Sequence, residues 1–234
     1  MTITYTERSE RRPPTARNSE IDTKTRLLGA AERLFSDKGF EAVSHRNIAS
    51  AAAVNLAAVN YHFGSKDQLI RAVVKRRVES LNARRLAALA RAERRAGSTP
   101  VPTDKILEAF LGPAVEDSDG HFQDFLWIGP ATSPYRDFLI GLMTPLVDRF
   151  TGALQRSLPS RSHEDCQWYL MFSLAIPSLL PQGLRILHGA SQSVWKRSEA
   201  RMITRRMVHL VCGGINGCSS HCWSTANWLH EHRK

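Results

Sequence analysis

Three helix starts crowd into residues 44 to 68, and no other feature of the chain restricts its fold as much. Ser44 stands just ahead of Ile48, Ala49 and Ala52, which fall at helical spacing and form a narrow stripe of small and apolar side chains. Val54 and Asn55 break that run, and the Asn55 side-chain oxygen can accept from the backbone N–H groups of a helix beginning at Leu56. Val59 and Phe63 share one face of this second helix, and Gly64 supplies a left-handed stop. Ser65, with Gln68 three residues on, has the capping-box pattern of a third helix. Short helix, turn, short helix is the arrangement with which small domains enter a DNA groove.

The residues Ser44, Ile48-Ala49, Val54-Asn55 and Tyr61-His62-Phe63-Gly64-Ser65-Lys66 together resemble the DNA-binding segment of the TetR/AcrR family of bacterial transcriptional regulators. Upstream, Ile21 to Phe40, with Leu27, Ala31, Leu34, Phe35 and the Gly39-Phe40 stop, is similar to that family's first helix. The resemblance covers about residues 20 to 75. Two positions depart from the family pattern: Ala53 stands where glycine is usual at the turn, and Asn60 where many members carry tyrosine. The resemblance implies a helical C-terminal body that binds a small effector and dimerises through its last two long helices. It also implies repression as the mode of control.

Charge points to an anionic partner. The 234 residues carry a formal net charge of +10. Residues 1–105 hold 20 Lys and Arg against 11 Asp and Glu, whereas residues 106–234 hold 12 against 11, so the excess lies with the helix-turn-helix. On charge alone a solvated basic surface explains this as well; beside the motif it is what phosphate neutralisation requires. Four cysteines, three of them at 212, 218 and 222, do not describe a disulfide framework, and a reducing, cytoplasmic setting follows. No apolar run follows the N-terminal arginines as a secretory signal would. The most apolar stretch, Leu170 to Leu180, is too short to span a bilayer, which needs about 20 residues, so a soluble protein is expected.

Helical spacing dominates the remainder, and the fold class expected is all-α: a three-helix head joined by a long helix to a bundle-like body. Residues 1–18, with Arg8, Arg11, Arg12, Arg17 and Pro13-Pro14, are expected to be a disordered basic arm. The helix-turn-helix domain occupies 19–66. The effector-binding and dimerisation domain occupies 67–212, and an irregular tail 213–234. Leu69, Ile70, Val73, Val74, Val78, Leu81, Ala88 and Leu89 predict one long helix from Lys66 to Ala96, ended by Gly97-Ser98-Thr99-Pro100. Further helices are predicted from a Thr103 cap to a Gly112-Pro113 stop, over Gly120 to Ile128, and from a Ser133-Pro134 start to Ser157 with Pro145 inside. Ser162 and Asp165 form a second capping-box pattern, and a last helix is predicted over Ser193 to Cys212, with Gly213-Gly214 ending it.

Positions then suggest roles. Leu56, Ala57, Ala58 and Asn60 are expected to face the groove, where methyl groups touch thymine and an Asn amide pairs bidentately with adenine. Ser44, Arg46, Tyr61, His62 and Lys66 are expected on phosphates, with Asn55 at the head of the same helix, although its cap role needs no DNA. Two such heads enter successive major grooves about 34 Å apart, which calls for a homodimer and a palindromic operator. In the body, the aromatic load predicts a cavity between helices, with Phe110, His121, Phe125, Trp127, Tyr135, Phe138, Trp168 and Phe172 as candidate effector contacts, His121, Arg136 and His188 being the polar ones. Aromatics at this spacing also serve as ordinary core.

Other classes fare worse. No glycine-rich phosphate loop, HExxH, GxSxG or paired carboxylate constellation is present, so no enzyme is expected and no cofactor. His209, Cys212, Cys218, His221, Cys222, His230 and His232 are residue types that hold zinc, which keeps a metal-responsive regulator as an alternative, but no pair of pairs has ligand spacing and no metal site is expected. A non-specific or architectural nucleic-acid binder is the other alternative, separated by its lack of sequence discrimination.

Overall fold

A computed structural model describes residues 16–116, 135–188 and 199–217, with the backbone alone at 16–19 and 176–188. All regular structure among the described residues is helical. Eight helices follow in order: α1 (Ala16–Lys38), α2 (His45–Ala51), α3 (Leu56–Phe63), α4 (Lys66–Ala96), α5 (Thr103–Glu116), α6 (Arg136–Ser157), α7 (His163–His188) and α8 (Ala200–Gly217). The chain divides into two compact units, Met1–Val73 and Val74–Lys234, and α4 begins in the first and continues in the second.

The first unit is a small helical head. Leu27, Ala31 and Phe35 of α1, Ile48 and Ala49 of α2, Val59 and Phe63 of α3, and Leu69, Ile70 and Val73 of α4 are buried. A fully buried Leu, Ile, Val or Phe contributes about 1.5–3 kcal/mol, so these short helices are held by packing rather than by propensity. Each start has its cap. Ser44 and Asn47 form a reciprocal capping box, with the Asn47 N–H donating to Ser44 Oγ at 3.2 Å and the Ser44 N–H to Asn47 Oδ1 at 2.9 Å. Asn55 Oδ1 accepts from the Ala57 N–H at 2.9 Å, and Ser65 Oγ from the Gln68 N–H at 3.2 Å. Gly39 ends α1 at φ 76, with its N–H on the Phe35 carbonyl at 2.9 Å.

In the second unit α5 packs on α8 and α6 on α7. Its core gathers Ile106, Leu107, Phe110, Phe150, Leu154, Leu170 and Met207, with the Phe110 and Phe150 rings 4.9 Å apart. Ser162 and Asp165 cap α7 as the sequence predicts, through reciprocal bonds of 3.0 and 3.1 Å.

Four sequence expectations need correction. Gly112-Pro113 does not stop α5, which runs to Glu116 because Leu111, Ala114 and Val115 are all buried and hold the backbone helical across the proline. Pro113 has no N–H to offer the Ala109 carbonyl four residues earlier, and the next carbonyl along, that of Phe110, accepts from Arg85 Nε at 2.8 Å. Thr103 is the first residue of α5 rather than its cap; its hydroxyl pairs with Ser157 Oγ of α6 at 2.8 Å, and the Pro102 carbonyl opens the helix. Gly213-Gly214 do not end α8. Val211 and Ile215 stay buried on one stripe with Met207 and Val208, and that burial outweighs about 1 kcal/mol per glycine. The predicted Gly120 to Ile128 helix, the Ser133-Pro134 start, residues 193–198, residues 1–15 of the arm and the tail from 218 lie outside the described residues, whereas residues 16–18, expected in the disordered arm, form the first turn of α1.

Candidate nucleic-acid interface and a cavity in the second unit

Two inward side chains decide which face of α3 is available. Val59 and Phe63 are buried in the head, so the opposite side of an eight-residue helix must face outward. Ala57, Asn60 and Tyr61 are exposed, with Tyr61 at 75%, while Leu56, Ala58 and His62 are half-buried. A tyrosine this uncovered on a fixed helix presents both a flat ring and a hydroxyl. Its hydroxyl reaches Glu20 Oε1 at 3.4 Å, and its ring meets His62 edge-on at 5.2 Å.

The turn between α2 and α3 is held from outside. Ala53 adopts φ 52, the left-handed region that glycine occupies without cost. Arg26 of α1 forks onto the two carbonyls there, donating from Nη2 to Ala52 O at 2.6 Å and to Ala53 O at 3.0 Å, with Asp22 4.0 Å from its other terminal nitrogen. At the far end Gly64 takes φ 64 and ψ −67, its N–H on the Asn60 carbonyl at 2.8 Å. A Cβ there would stand 3.0 Å from Gln68 Oε1.

Around α3 sit the remaining residues singled out from the sequence. Ser44, Arg46 and Asn55 are exposed. The Ser44 hydroxyl is engaged locally, 2.6 Å from Asn47 Oδ1. Lys66, at the head of α4, donates from Nζ to the Glu41 carbonyl at 3.2 Å. All ten candidates therefore belong to the first unit, on α2 and α3 and at the heads of α2, α3 and α4. Sequence reasoning missed Arg26, Asn47 and His45. His45 on α2 stands with Nδ1 3.2 Å from Asn60 Oδ1, tying the two helices of the motif together.

The second unit holds a cavity of about 410 Å³ between α4, α6 and α7. Val78, Leu139, Ile140, Met143, Val147, Met171 and Leu174 form its apolar wall, and Arg136, Thr144, Asp148 and Gln167 its polar points. Of the sequence candidates, Phe110 lies elsewhere, fully buried against Phe150 with the Arg85 guanidinium 4.7 Å above its ring. Tyr135 and Phe138 are half-buried at the start of α6 and are not in the cavity wall. Trp168 and Phe172 point outward from α7, about half exposed, with rings stacked at 5.8 Å. His121, Phe125 and Trp127 lie outside the described residues, as does the side chain of His188. Of the described residues proposed from sequence as effector contacts, Arg136 alone lines the cavity. The search there followed aromatics, whereas the wall is aliphatic and methionine; the spacing of Leu139, Ile140, Met143 and Val147 on α6 was the signal available. Among the described residues no three His, Cys, Asp or Glu side chains gather as a metal site. No described helix is long and apolar enough to cross a membrane.

A capped short helix with its outer face uncovered, following a second capped helix across a tight turn in a chain whose described residues are all helical, has the geometry of a helix-turn-helix head. Comparison with known proteins agrees. Residues 27–73 match the model of bacterial regulatory proteins of the tetR family, and residues 108–214 that of the tetracyclin repressor-like C-terminal domain, together about two thirds of the chain. The chain belongs to the TetR family of transcriptional regulators. The regulator UidR of Escherichia coli K12 is 38% identical over 52 residues, 22% of this chain and 26% of its own length. The transcriptional repressor Rv3405c of Mycobacterium tuberculosis H37Rv is 42% identical over 64 residues, 27% of this chain and 32% of its own. The chain thus spans a quarter to a third of the length of these curated relatives. A TetR-like regulator from Rhodococcus sp. RHA1 shares the fold at TM-score 0.56 and 18% identity, covering 88% of this chain and all of its own. A transcriptional regulator from Saccharomonospora viridis, solved with choline, does so at 0.56 and 19%, covering 81% and 96%.

Proposed function

We propose that this protein is a one-component cytoplasmic repressor: a homodimer that holds a palindromic operator and releases it when a small, largely apolar effector enters the second unit. The observation that carries the DNA reading is α3, pinned by Val59 and Phe63 and turned outward through Ala57, Asn60 and Tyr61. Leu56, Ala57, Ala58 and Asn60 meet base edges; Ser44, Arg46, Asn55, Tyr61, His62 and Lys66 surround them for the phosphates. Repression is supported by the name of the mycobacterial relative. A small ligand is supported by the cavity beside α4 and by the neighbour solved with choline. Because α4 both begins in the DNA-binding unit and lines the cavity at Val78, it is the element through which an effector acts, with a coupling of about 1–3 kcal/mol typical of allosteric proteins. The second copy takes up the outward apolar side chains of α7 and α8: Trp168 and Phe172 with Met202 and Leu210.

Selection of duplexes from a random pool by the purified protein tests this reading. A two-fold symmetric sequence is expected, bound at least about 10³-fold above random DNA, with affinity falling linearly in log salt. A pool that stays random after repeated rounds is the result against it, and favours a non-specific binder.

A further inference from the structure

The wall of the cavity in the second unit carries one charge of each sign, and they stand at opposite ends. On α6 the wall residues recur at helical spacing from Arg136 to Asp148. At about 1.5 Å per residue the two lie about 18 Å apart along the helix axis, too far to neutralise one another. Neither side chain has a hydrogen bond or ion pair among the described residues, although Arg149 and Arg156 of the same helix both hold Glu93. Between the two ends no described residue of the wall is charged. Leu139, Ile140, Met143 and Val147, with Met171 and Leu174 of α7, make that stretch aliphatic and methionine, and the Thr144 hydroxyl donates to the Ile140 carbonyl at 2.8 Å. No described wall residue is aromatic, so this is not the ring cage by which quaternary ammonium ligands are held.

We propose that the cavity takes an extended aliphatic chain with oppositely charged ends: an ω-amino carboxylate, its carboxylate on Arg136 and its ammonium on Asp148. This names the ligand class of the effector reading above and rests on that reading. Charge complementarity decides the class, since a wholly apolar ligand leaves both ends of the wall without a partner and a singly charged one leaves one of them. Unbranched methionine side chains adapt to such a chain, and its burial supplies most of the affinity. Arg136 and Asp148 are exposed, so each ionic contact adds selectivity rather than strength. Length agrees. An extended chain advances about 3.4 Å per three bonds, so the roughly twelve bonds from nitrogen to carboxyl carbon in 12-aminododecanoate span about 14 Å, and the two ionic contacts close the remainder.

The test is calorimetric titration of the purified protein with 12-aminododecanoate, dodecanoate and dodecylamine, repeated with Asp148→Asn and Arg136→Gln. Wild type is expected to bind the two-ended compound about threefold more tightly than either single-ended one, the scale of one exposed ion pair. Asp148→Asn is expected to erase its advantage over dodecanoate alone, and Arg136→Gln its advantage over dodecylamine alone, with melting unchanged in both. The comparison of ligands on the wild-type chain stands without either variant. Tighter binding of dodecanoate or of dodecylamine, no binding of any of the three, or a preference that both variants retain overturns the inference. Release of the selected operator by 12-aminododecanoate, read by fluorescence anisotropy, separates the two readings: binding with the expected pattern but no release leaves the ligand class standing and removes the effector role.

Discussion

Ala53 holds φ 52, where an L-residue with a Cβ is worse off by about 1–2 kcal/mol than in the right-handed region. The turn persists because Arg26 collects the Ala52 and Ala53 carbonyls, and because Val54 and Asn55 must follow at once to begin α3. Ala53→Gly is expected to stabilise the head by about 1 kcal/mol, raising the melting temperature by a few degrees, and Arg26→Met to destabilise it by about 1–2 kcal/mol. Thermal unfolding of the two variants measures both, and a lowered melting temperature for Ala53→Gly would show the turn to be unstrained. Gly64→Ala meets the opposite situation, since it adds a Cβ at positive φ and 3.0 Å from Gln68 Oε1. The oddity of Ala53 was legible in the sequence as a missing glycine. Arg26 was not, because its partners are two backbone carbonyls twenty-six and twenty-seven residues away, and carbonyls leave no mark in a side-chain pattern.

Among the elements, the capped starts of α2, α3 and α7 were legible because Ser and Asn caps are local and chemical. The run of α5 through Pro113 and of α8 through Gly213-Gly214 was not, because long-range burial decides both. Arg85 shows how α5 is supported. It is buried with its guanidinium over Phe110, and burial, then the neighbouring Arg84, pushes its pKa down to about 10, so it stays charged at neutral pH. Arg85→Ala removes the donor to the Phe110 carbonyl and leaves a void; a loss of about 3 kcal/mol in urea unfolding is expected. The α4–α6 contact is different in kind. Glu93 accepts from Arg149 and, at 3.2 Å, from Arg156, and the Arg149 hydrogen bond foremost holds its carboxyl below the usual range against the opposing effect of burial. A carboxyl with a lowered folded pKa stabilises above its unfolded value and loses that contribution as pH falls through the folded one. Glu93→Gln is therefore expected to unfold more easily than wild type at pH 7, with the gap closing under acid; an equal gap at pH 7 and at pH 3 would show the pair to be inert.

At the scale of the whole molecule, the inward pair Val59 and Phe63 of α3 was readable from spacing alone, whereas the half-burial of Leu56 and Ala58 beside the exposed Ala57, Asn60 and Tyr61 was not. The cavity of the second unit was not, since its wall is made of aliphatic and methionine side chains from helices far apart in sequence. Dimerisation has its own consequence: sedimentation equilibrium at micromolar concentration should find two copies, and Trp168→Glu combined with Leu210→Glu should give monomers, because both side chains are exposed and apolar in the single chain. A wild-type monomer would remove the reason for a palindrome. The central claim is that the outer face of α3 lies in the groove of a duplex. Ala57→Glu addresses it most directly, since Ala57 is exposed in the first turn of α3, where a carboxylate suits the helix but not DNA. Fluorescence anisotropy on the selected operator should show affinity lowered at least about a hundredfold, with melting unchanged. Binding within threefold of wild type would place the DNA elsewhere and contradict the account.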